Sequence, residues 1–225
     1  MEWVVKIGGS LFPDEAIDLI QVLRGTNSLI INGGGQFANL IRKYDEEVSF
    51  SKDITHETAI DSMDIIAKLL NDKFDFTEIV DSLEEAIKVS KSGKIPIMQC
   101  SDILKENDEI QHSWNLTSDS ISAYIANLTK AKLLIATNVD GIYTRKPNSH
   151  NSKFMDEIDA KKLLTFNETS VDLMLGELLL KFGMNCFVVN GNFPERVLSL
   201  IKDSEYDHDF QYTYIRGEID EESRM

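Results

Sequence analysis

Trp3-Val4-Val5-Lys6-Ile7-Gly8-Gly9-Ser10 opens the chain as a short apolar strand that ends in a glycine turn. Val4, Val5 and Ile7 give the buried-strand signal, while Gly8 and Gly9 let the backbone turn tightly and bring N–H groups close to an anion. Lys6 puts a cation just before that turn, where a phosphate is expected; the structural alternative is a βα turn with a solvated lysine. A second device of the same kind follows. Ser28 to Asn32 reads as another apolar strand that runs into Gly33, Gly34 and Gly35, and Phe37, Ala38, Leu40 and Ile41 then carry a helical pattern. Two glycine turns at strand ends, each opening a helix, favour an anion site over coincidence.

Outward from these turns, strand and helix alternate. Apolar strands are expected at Val4 to Ile7, Leu29 to Ile31, Glu78 to Val80, Ile95 to Met98, Leu133 to Ala136, Cys186 to Val189 and Tyr212 to Ile215. Helical periodicity follows Pro13 (Ile17, Ile20, Leu23) and Gly35, and recurs across Asp53 to Asp72, Ser82 to Ser90 and Thr117 to Leu128. This alternation predicts an α/β fold, a three-layer αβα sandwich around a mostly parallel sheet, with ligands at the carboxyl ends of the strands. Both glycine turns lie at such ends. Thr144 to Met155 is polar and contains a proline, and reads as a long exposed loop, either a lid or a surface excursion. No repeat or low-complexity segment divides the chain, so one domain over residues 1–225 is expected.

Composition excludes several classes. A hydrophobic content of 42% marks a globular chain rather than a disordered one. No apolar run approaches the roughly 18 to 20 residues needed to span a bilayer, and the acidic start lacks a secretory signal, so a cytoplasmic protein without membrane partners is expected. A formal net charge of -15 repels nucleic-acid phosphates, which makes nucleic acid an unexpected partner. Cys100 and Cys186 have no Cys or His at ligand spacing and read as core thiols.

Neither Gly-x-Gly-x-x-Gly after a strand nor a glycine loop closing in Gly-Lys-Ser/Thr is present. Thr117-Ser118-Asp119-Ser120 instead opens a helix that Thr117 can cap and whose dipole suits Asp119. Ala136-Thr137-Asn138-Val139-Asp140-Gly141-Ile142-Tyr143 is a strand ending in a polar turn.

Taken in order, the Lys-x-Gly-Gly-Ser start, the triple glycine, Ser118-Asp119, Asn138-Val139-Asp140-Gly141 and Asn190-Gly191 resemble the amino acid kinase family along nearly the whole chain. The resemblance implies that Lys6 bridges donor and acceptor phosphates, that the turns of Gly8, Gly9, Ser10, Gly33, Gly34 and Gly35 supply N–H donors, and that Asp119 orients the lysine. It further implies a nucleotide site at Thr137, Asn138, Asp140, Gly141, Tyr143 and Lys146, an acceptor-binding lobe over 1–135 and a nucleotide-binding lobe over 136–225. The physics agrees: moving a γ-phosphoryl group is mostly positioning plus stabilisation of charge on equatorial oxygens, a task for cations and N–H groups. ATP is then the co-substrate. Mg2+ would arrive with it, held largely by phosphate oxygens and water, since no carboxylate cluster announces a protein metal site.

The chain also departs from the family pattern. Many relatives carry Gly-Gly-Met-x-x-Lys before the penultimate strand, whereas Ser170-Val171-Asp172-Leu173-Met174-Leu175 has neither the glycines nor the lysine; Arg145, Lys146 or Lys181 are the candidate substitutes, although Lys181 ends a helix beside Gly183 and reads as a C-terminal charge. The histidine that isopentenyl phosphate kinases place after the triple glycine is missing, and Arg42 meets the uridylate kinase pattern only loosely. Together with His112-Ser113-Trp114-Asn115 and Val188-Val189-Asn190-Gly191, these departures resemble a small archaeal branch of the family that phosphorylates an aminomethylfuran-methyl phosphate in methanofuran synthesis. There the acceptor is a phosphomonoester and the product a diphosphate.

The expected acceptor site comprises Asn39, His112, Trp114, Asn115, Thr117 and Asp172, with Trp114 either offering a flat face to a ring or packing as a loop anchor. His56 is a further candidate but reads as a capping or surface residue, and an acceptor amine would want a carboxylate, from Asp64 or Asp172. UMP and isopentenyl phosphate are the alternative acceptors, and a non-catalytic nucleotide-binding or storage subunit is the alternative of another class. Relatives assemble through a helix near the second glycine turn, so a homo-oligomer is expected, with Asp53 to Asp72 amphipathic enough to serve or, as is commoner for such a stripe, to pack as intramolecular core.

Overall fold

The structure is a computed structural model describing residues 1–106, 117–166, 169–203 and 208–217, with side chains over 1–104 of the first stretch. In chain order the elements are β1 (Trp3–Ile7), a 3-10 turn (Gly9–Leu11), α1 (Asp14–Val22), β2 (Ser28–Asn32), α2 (Gly35–Val48), α3 (Lys52–Asn71) and β3 (Thr77–Val80). Then come α4 (Leu83–Lys91), β4 (Ile95–Met98), α5 (Cys100–Glu106), α6 (Ser118–Thr129), β5 (Lys132–Thr137), β6 (Ile142–Tyr143), β7 (Phe154–Met155) and β8 (Glu157–Asp159). The chain continues with α7 (Ala160–Leu163), α8 (Leu173–Phe182), β9 (Cys186–Asn190), α9 (Pro194–Lys202) and β10 (Tyr212–Arg216).

An eight-stranded sheet in the order β3-β4-β2-β1-β5-β9-β10-β8 forms the middle layer. Every pairing is parallel except β9 with β10. The central strands β1, β2 and β9 are buried along their whole length, as expected when helices cover both faces. Alternation along β1 assigns the faces. Trp3, Val5 and Ile7 pack with α1 and α9 residues such as Leu19, Ile20, Val197 and Leu200, while Val4 lies with Ile121 and Ile125 of α6 and Leu175 and Leu179 of α8. Lys6 shares the face of Val4, so its side chain is directed toward α6. Its neighbours in register are Ile31 and Ile135, so the cation leaves an apolar strand ladder at its carboxyl end.

The expected strands and helices all form, within a residue or two at their ends. Thr144 to Met155 does not form a simple loop. Phe154 and Met155 pair antiparallel with Tyr143 and Ile142, and the Tyr143 and Phe154 rings meet edge to face at 5.2 Å, so the polar segment is the tip of a hairpin. A two-residue strand is too short to leave a period in the sequence. The end of α8 is legible in Lys181 beside Gly183, which forms its left-handed C-cap, whereas α9 has no clear sequence signal: it is short and announced only by Pro194 in its first turn.

Helix α3 turns Ile60, Met63, Ile66, Ala67 and Leu70 into the core, so much of its apolar stripe is intramolecular. Helix α2 buries none of its residues, and leaves Phe37, Leu40, Tyr44 and Val48 exposed at helical spacing.

Candidate active site

The site begins with Lys6. Its side chain is only 9% exposed, and its Nζ lies 2.6 Å from Oδ1 of Asp119, itself 7% exposed, in the first turn of α6. A buried ammonium needs a counter-charge, and α6 packed on β1 delivers one. The second oxygen of Asp119, Oδ2, accepts from the backbone N–H of Asp172 at 3.1 Å.

The glycine turns follow the carboxyl ends of β1 and β2. The Gly8 N–H donates to Ala136 O and the Gly33 N–H to Ile7 O, each at 2.8 Å, so both turns continue the ladders of β1. Gly34 leaves α2 without a side-chain cap, and its first turn has no acidic residue. The free N–H groups there are the donors a phosphate would use.

A cavity of about 520 Å³ opens beside these turns, walled by Gly9, Ser10, Gly33, Gly34, Gly35, Asn39, Arg42, His56, Thr117 and Ser118. Neither Lys6 nor Asp119 lines it; the residues just before Asp119 do. His56 is buried on α3, whose cap is Ser51, so its reading as a capping or surface residue is overturned. It comes one turn into the helix, on the face that meets α2. Arg42 reaches the cavity from α2, where its Nη1 donates to Asn39 Oδ1 at 3.3 Å. No spacing rule in the sequence joins Arg42 to His56; the packing of α2 on α3 does. His112, Trp114 and Asn115 lie outside the described residues.

The two carboxylates expected for an acceptor amine are held by protein donors. Asp64 Oδ1 accepts from the Cys100 N–H at 2.7 Å at the start of α5. Asp172 caps α8, accepting from the Leu175 N–H at 2.9 Å, and also accepts from Thr117 and Ser120 at the start of α6. Burial foremost, and then the neighbouring Asp119, push the Asp172 carboxyl above its ordinary pKa.

The third cluster sits where β5 ends. Thr137 O accepts from the Gly191 N–H at 2.7 Å, tying β5 to β9. Asp140 Oδ1 accepts from Asn190 Nδ2 at 3.1 Å and from Arg196 Nη1 at 3.0 Å, and Arg196 stacks 4.0 Å over the Phe193 ring. Burial, then the charge of Asp140 and a hydrogen bond to it, push the Tyr143 phenol up. Ser170 Oγ donates to Gly141 O at 2.9 Å. Beside this turn Thr137, Asn138, Tyr143 and Lys146 line a cleft of about 180 Å³. Arg196 had no signal in the sequence, since a single arginine in a short helix has many explanations.

A larger concavity of about 850 Å³ lies by Lys132, Asn185, Phe187 and Tyr214, where β5 and β9 begin. It is at the opposite end of the sheet from both glycine turns and from Lys6. Among the described residues, no cluster of three acidic, histidine or cysteine side chains could hold a metal, and no helix is long and apolar enough to cross a membrane.

Residues 1–190 match the sequence profile of the amino acid kinase family. The [5-(aminomethyl)furan-3-yl]methyl phosphate kinase of Methanocaldococcus jannaschii is 38% identical over 206 residues, covering 88% of this chain and 92% of that protein. A uridylate kinase of Methanococcus vannielii is 27% identical, covering 79% of each chain. Among solved structures, uridylate kinase from Archaeoglobus fulgidus has the same fold, with a TM-score of 0.71 at 21% identity over 96% of this chain and 100% of that one. With the ordered glycine turns, the buried lysine and a profile match over most of its length, the chain belongs to the amino acid kinase family.

Proposed function

We propose that this chain transfers the γ-phosphoryl group of ATP to the phosphate of a small phosphomonoester, giving a diphosphate, with [5-(aminomethyl)furan-3-yl]methyl phosphate as the acceptor. The observation that carries the reading is the buried Lys6–Asp119 pair at the junction of two glycine turns. Similarity to the Methanocaldococcus jannaschii kinase over nearly the full length of both chains supports the choice of acceptor.

In this reading an oxygen of the acceptor phosphate attacks the γ-phosphorus. The bond from that phosphorus to the β,γ-bridging oxygen breaks, and ADP leaves with the electron pair. Lys6 and the N–H groups of the turns at Gly8 to Ser10 and Gly33 to Gly35 stabilise charge on the transferring oxygens. Asp119 holds the Lys6 ammonium in place and moves no proton. The cavity of Asn39, Arg42, His56 and Thr117 takes the acceptor, and the turn from Thr137 to Tyr143 with Lys146 takes the nucleotide, dividing the chain into lobes near residue 135. Mg2+ carried by ATP would supply charge neutralisation of the phosphates. The residues present fit that arrangement, because Asp119 and Asp172 are occupied by protein partners and leave the ion to phosphate oxygens and water.

A homo-oligomer formed through the exposed face of α2 accompanies this reading. Two buried free thiols, Cys100 and Cys186, suit a reducing cytoplasm.

The test is a screen of the purified chain with ATP and three acceptors: the aminomethylfuran phosphate, UMP and isopentenyl phosphate. The first should be phosphorylated with the highest kcat/KM; preference for UMP would move the chain to the uridylate kinases. Lys6→Ala should lower kcat by about a thousandfold or more while ATP still binds. ATP binding with no transfer by the wild type to any of the three acceptors would favour a storage or binding role.

A further inference from the structure

Asp172 accepts five hydrogen bonds and is used in two places at once. Its Oδ2 accepts from Thr117 N at 3.1 Å, Thr117 Oγ1 at 2.8 Å and Ser120 N at 3.0 Å. Its Oδ1 accepts from Ser120 Oγ at 2.5 Å and from Leu175 N at 2.9 Å. One carboxylate therefore pins the N-terminus of α8 to that of α6. Between the two helix starts lies Asp119, whose Oδ2 accepts from the N–H of the same residue, Asp172. Asp119 Oδ1 is buried and has no described partner besides the ammonium of Lys6. The position of Lys6 thus depends on Asp119, and that of Asp119 on where Asp172 fastens α8.

We propose that Asp172 is a positioning residue for phosphoryl transfer: it locks the α6 and α8 helix starts together and so holds Asp119 against Lys6, without touching the acceptor. The inference rests on the reading of Lys6 as the transfer cation. An N-cap can be Asp, Asn or Ser with similar helix stability, so capping α8 alone does not require a carboxylate here. Fastening both helices does. Only a carboxylate, with acceptor capacity on both oxygens, satisfies N–H donors from α6 and α8 together. In Asp172→Asn the amide nitrogen must face either the Leu175 N–H or the donors of Thr117 and Ser120, and the clasp opens on one side.

The experiment is steady-state kinetics of the full chain with ATP and the aminomethylfuran phosphate, or UMP if that is the better acceptor. Asp172→Asn should lower kcat by about 10- to 100-fold, the scale of a small misplacement of a catalytic group, with both KM values within about threefold of wild type. Ser120→Ala, which removes one bond of the clasp and leaves the α8 cap intact, should give the same signature at about three- to tenfold, and it decides the matter if Asp172→Asn does not fold. A raised acceptor KM at unchanged kcat would make Asp172 an acceptor ligand and overturn the inference, as would unchanged kinetics in both variants. Lys6→Ala is the control. Turnover surviving that change overturns the reading of Lys6, whereas an inactive Lys6→Ala beside a normal Asp172→Asn and Ser120→Ala overturns only the role of Asp172.

Discussion

Gly9 and Gly35, from the two separate glycine turns, meet backbone to backbone. A Cβ built on Gly9 would collide with the Gly35 amide and lie 2.6 Å from Gly35 Cα. Gly35 itself has φ of 54°, a left-handed conformation that glycine adopts without strain. The close approach of the two turns therefore requires glycine on both sides. Gly9→Ala should separate the turns, lowering stability by about 1–3 kcal/mol as an overpacked contact does and kcat/KM by about a hundredfold. Urea unfolding and kinetics on the same preparation check both; a fully active variant would show that the close approach is dispensable.

The Lys6–Asp119 pair predicts a stability effect separate from catalysis. Removing one partner of a buried pair leaves an uncompensated charge, typically at a loss of about 3–5 kcal/mol. Lys6→Ala should unfold at markedly lower urea concentration, and Lys6→Ala with Asp119→Asn should recover part of the loss. A double variant as unstable as the sum of the singles would indicate that the two side chains are not coupled.

Arg196 holds Asp140 from the start of α9, with both side chains partly exposed. Its removal should act on the turn at the end of β5 rather than on overall stability, since solvent screens such pairs. Arg196→Ala is expected to raise the KM for ATP about three- to tenfold and leave that of the acceptor alone. An effect confined to the acceptor would place the nucleotide elsewhere.

Asp64 carries a pH signature. Burial is the main cause raising its pKa above 3.8, with Asp61 adding to it and hydrogen bonds from Ser101 and Cys100 opposing it. Between the ordinary and raised values the folded state binds more protons than the unfolded state, so this group's contribution to stability falls as pH rises. Asp64→Asn removes that slope, and its stability relative to wild type should improve as pH rises above about 4 and level off once the raised value is passed. Urea titrations across this range test it; parallel profiles would contradict it.

The exposed stripe Phe37, Leu40, Tyr44 and Val48 predicts self-association through α2. Exposed apolar faces of this kind on soluble proteins usually mark an interface. Wild type should scatter light as a dimer or larger species, and Tyr44→Asp with Val48→Asp should shift it toward the 25.5 kDa monomer. A wild type that is already monomeric would remove this role from α2.

The alternation of apolar strands with amphipathic segments, and the two glycine turns, determined the layered α/β fold and marked the end of the sheet where chemistry occurs. Those signals are local: a strand carries its period, and a turn that needs glycine names its residue. The family, too, was legible from the order of the motifs from Lys6 to Asn190. Contacts between elements remote in sequence were not. His56 reads as a surface residue until α3 packs on α2, Arg196 is anonymous until α9 starts beside the end of β5, and the hairpin around Lys146 is hidden because its strands are two residues long. Asp172 shows the limit most clearly. In the sequence it is a carboxylate near a departed motif, available to a ligand. Only the tertiary structure gives it donors from two helix starts, because hydrogen-bond partners brought together by packing leave no period or spacing in the chain.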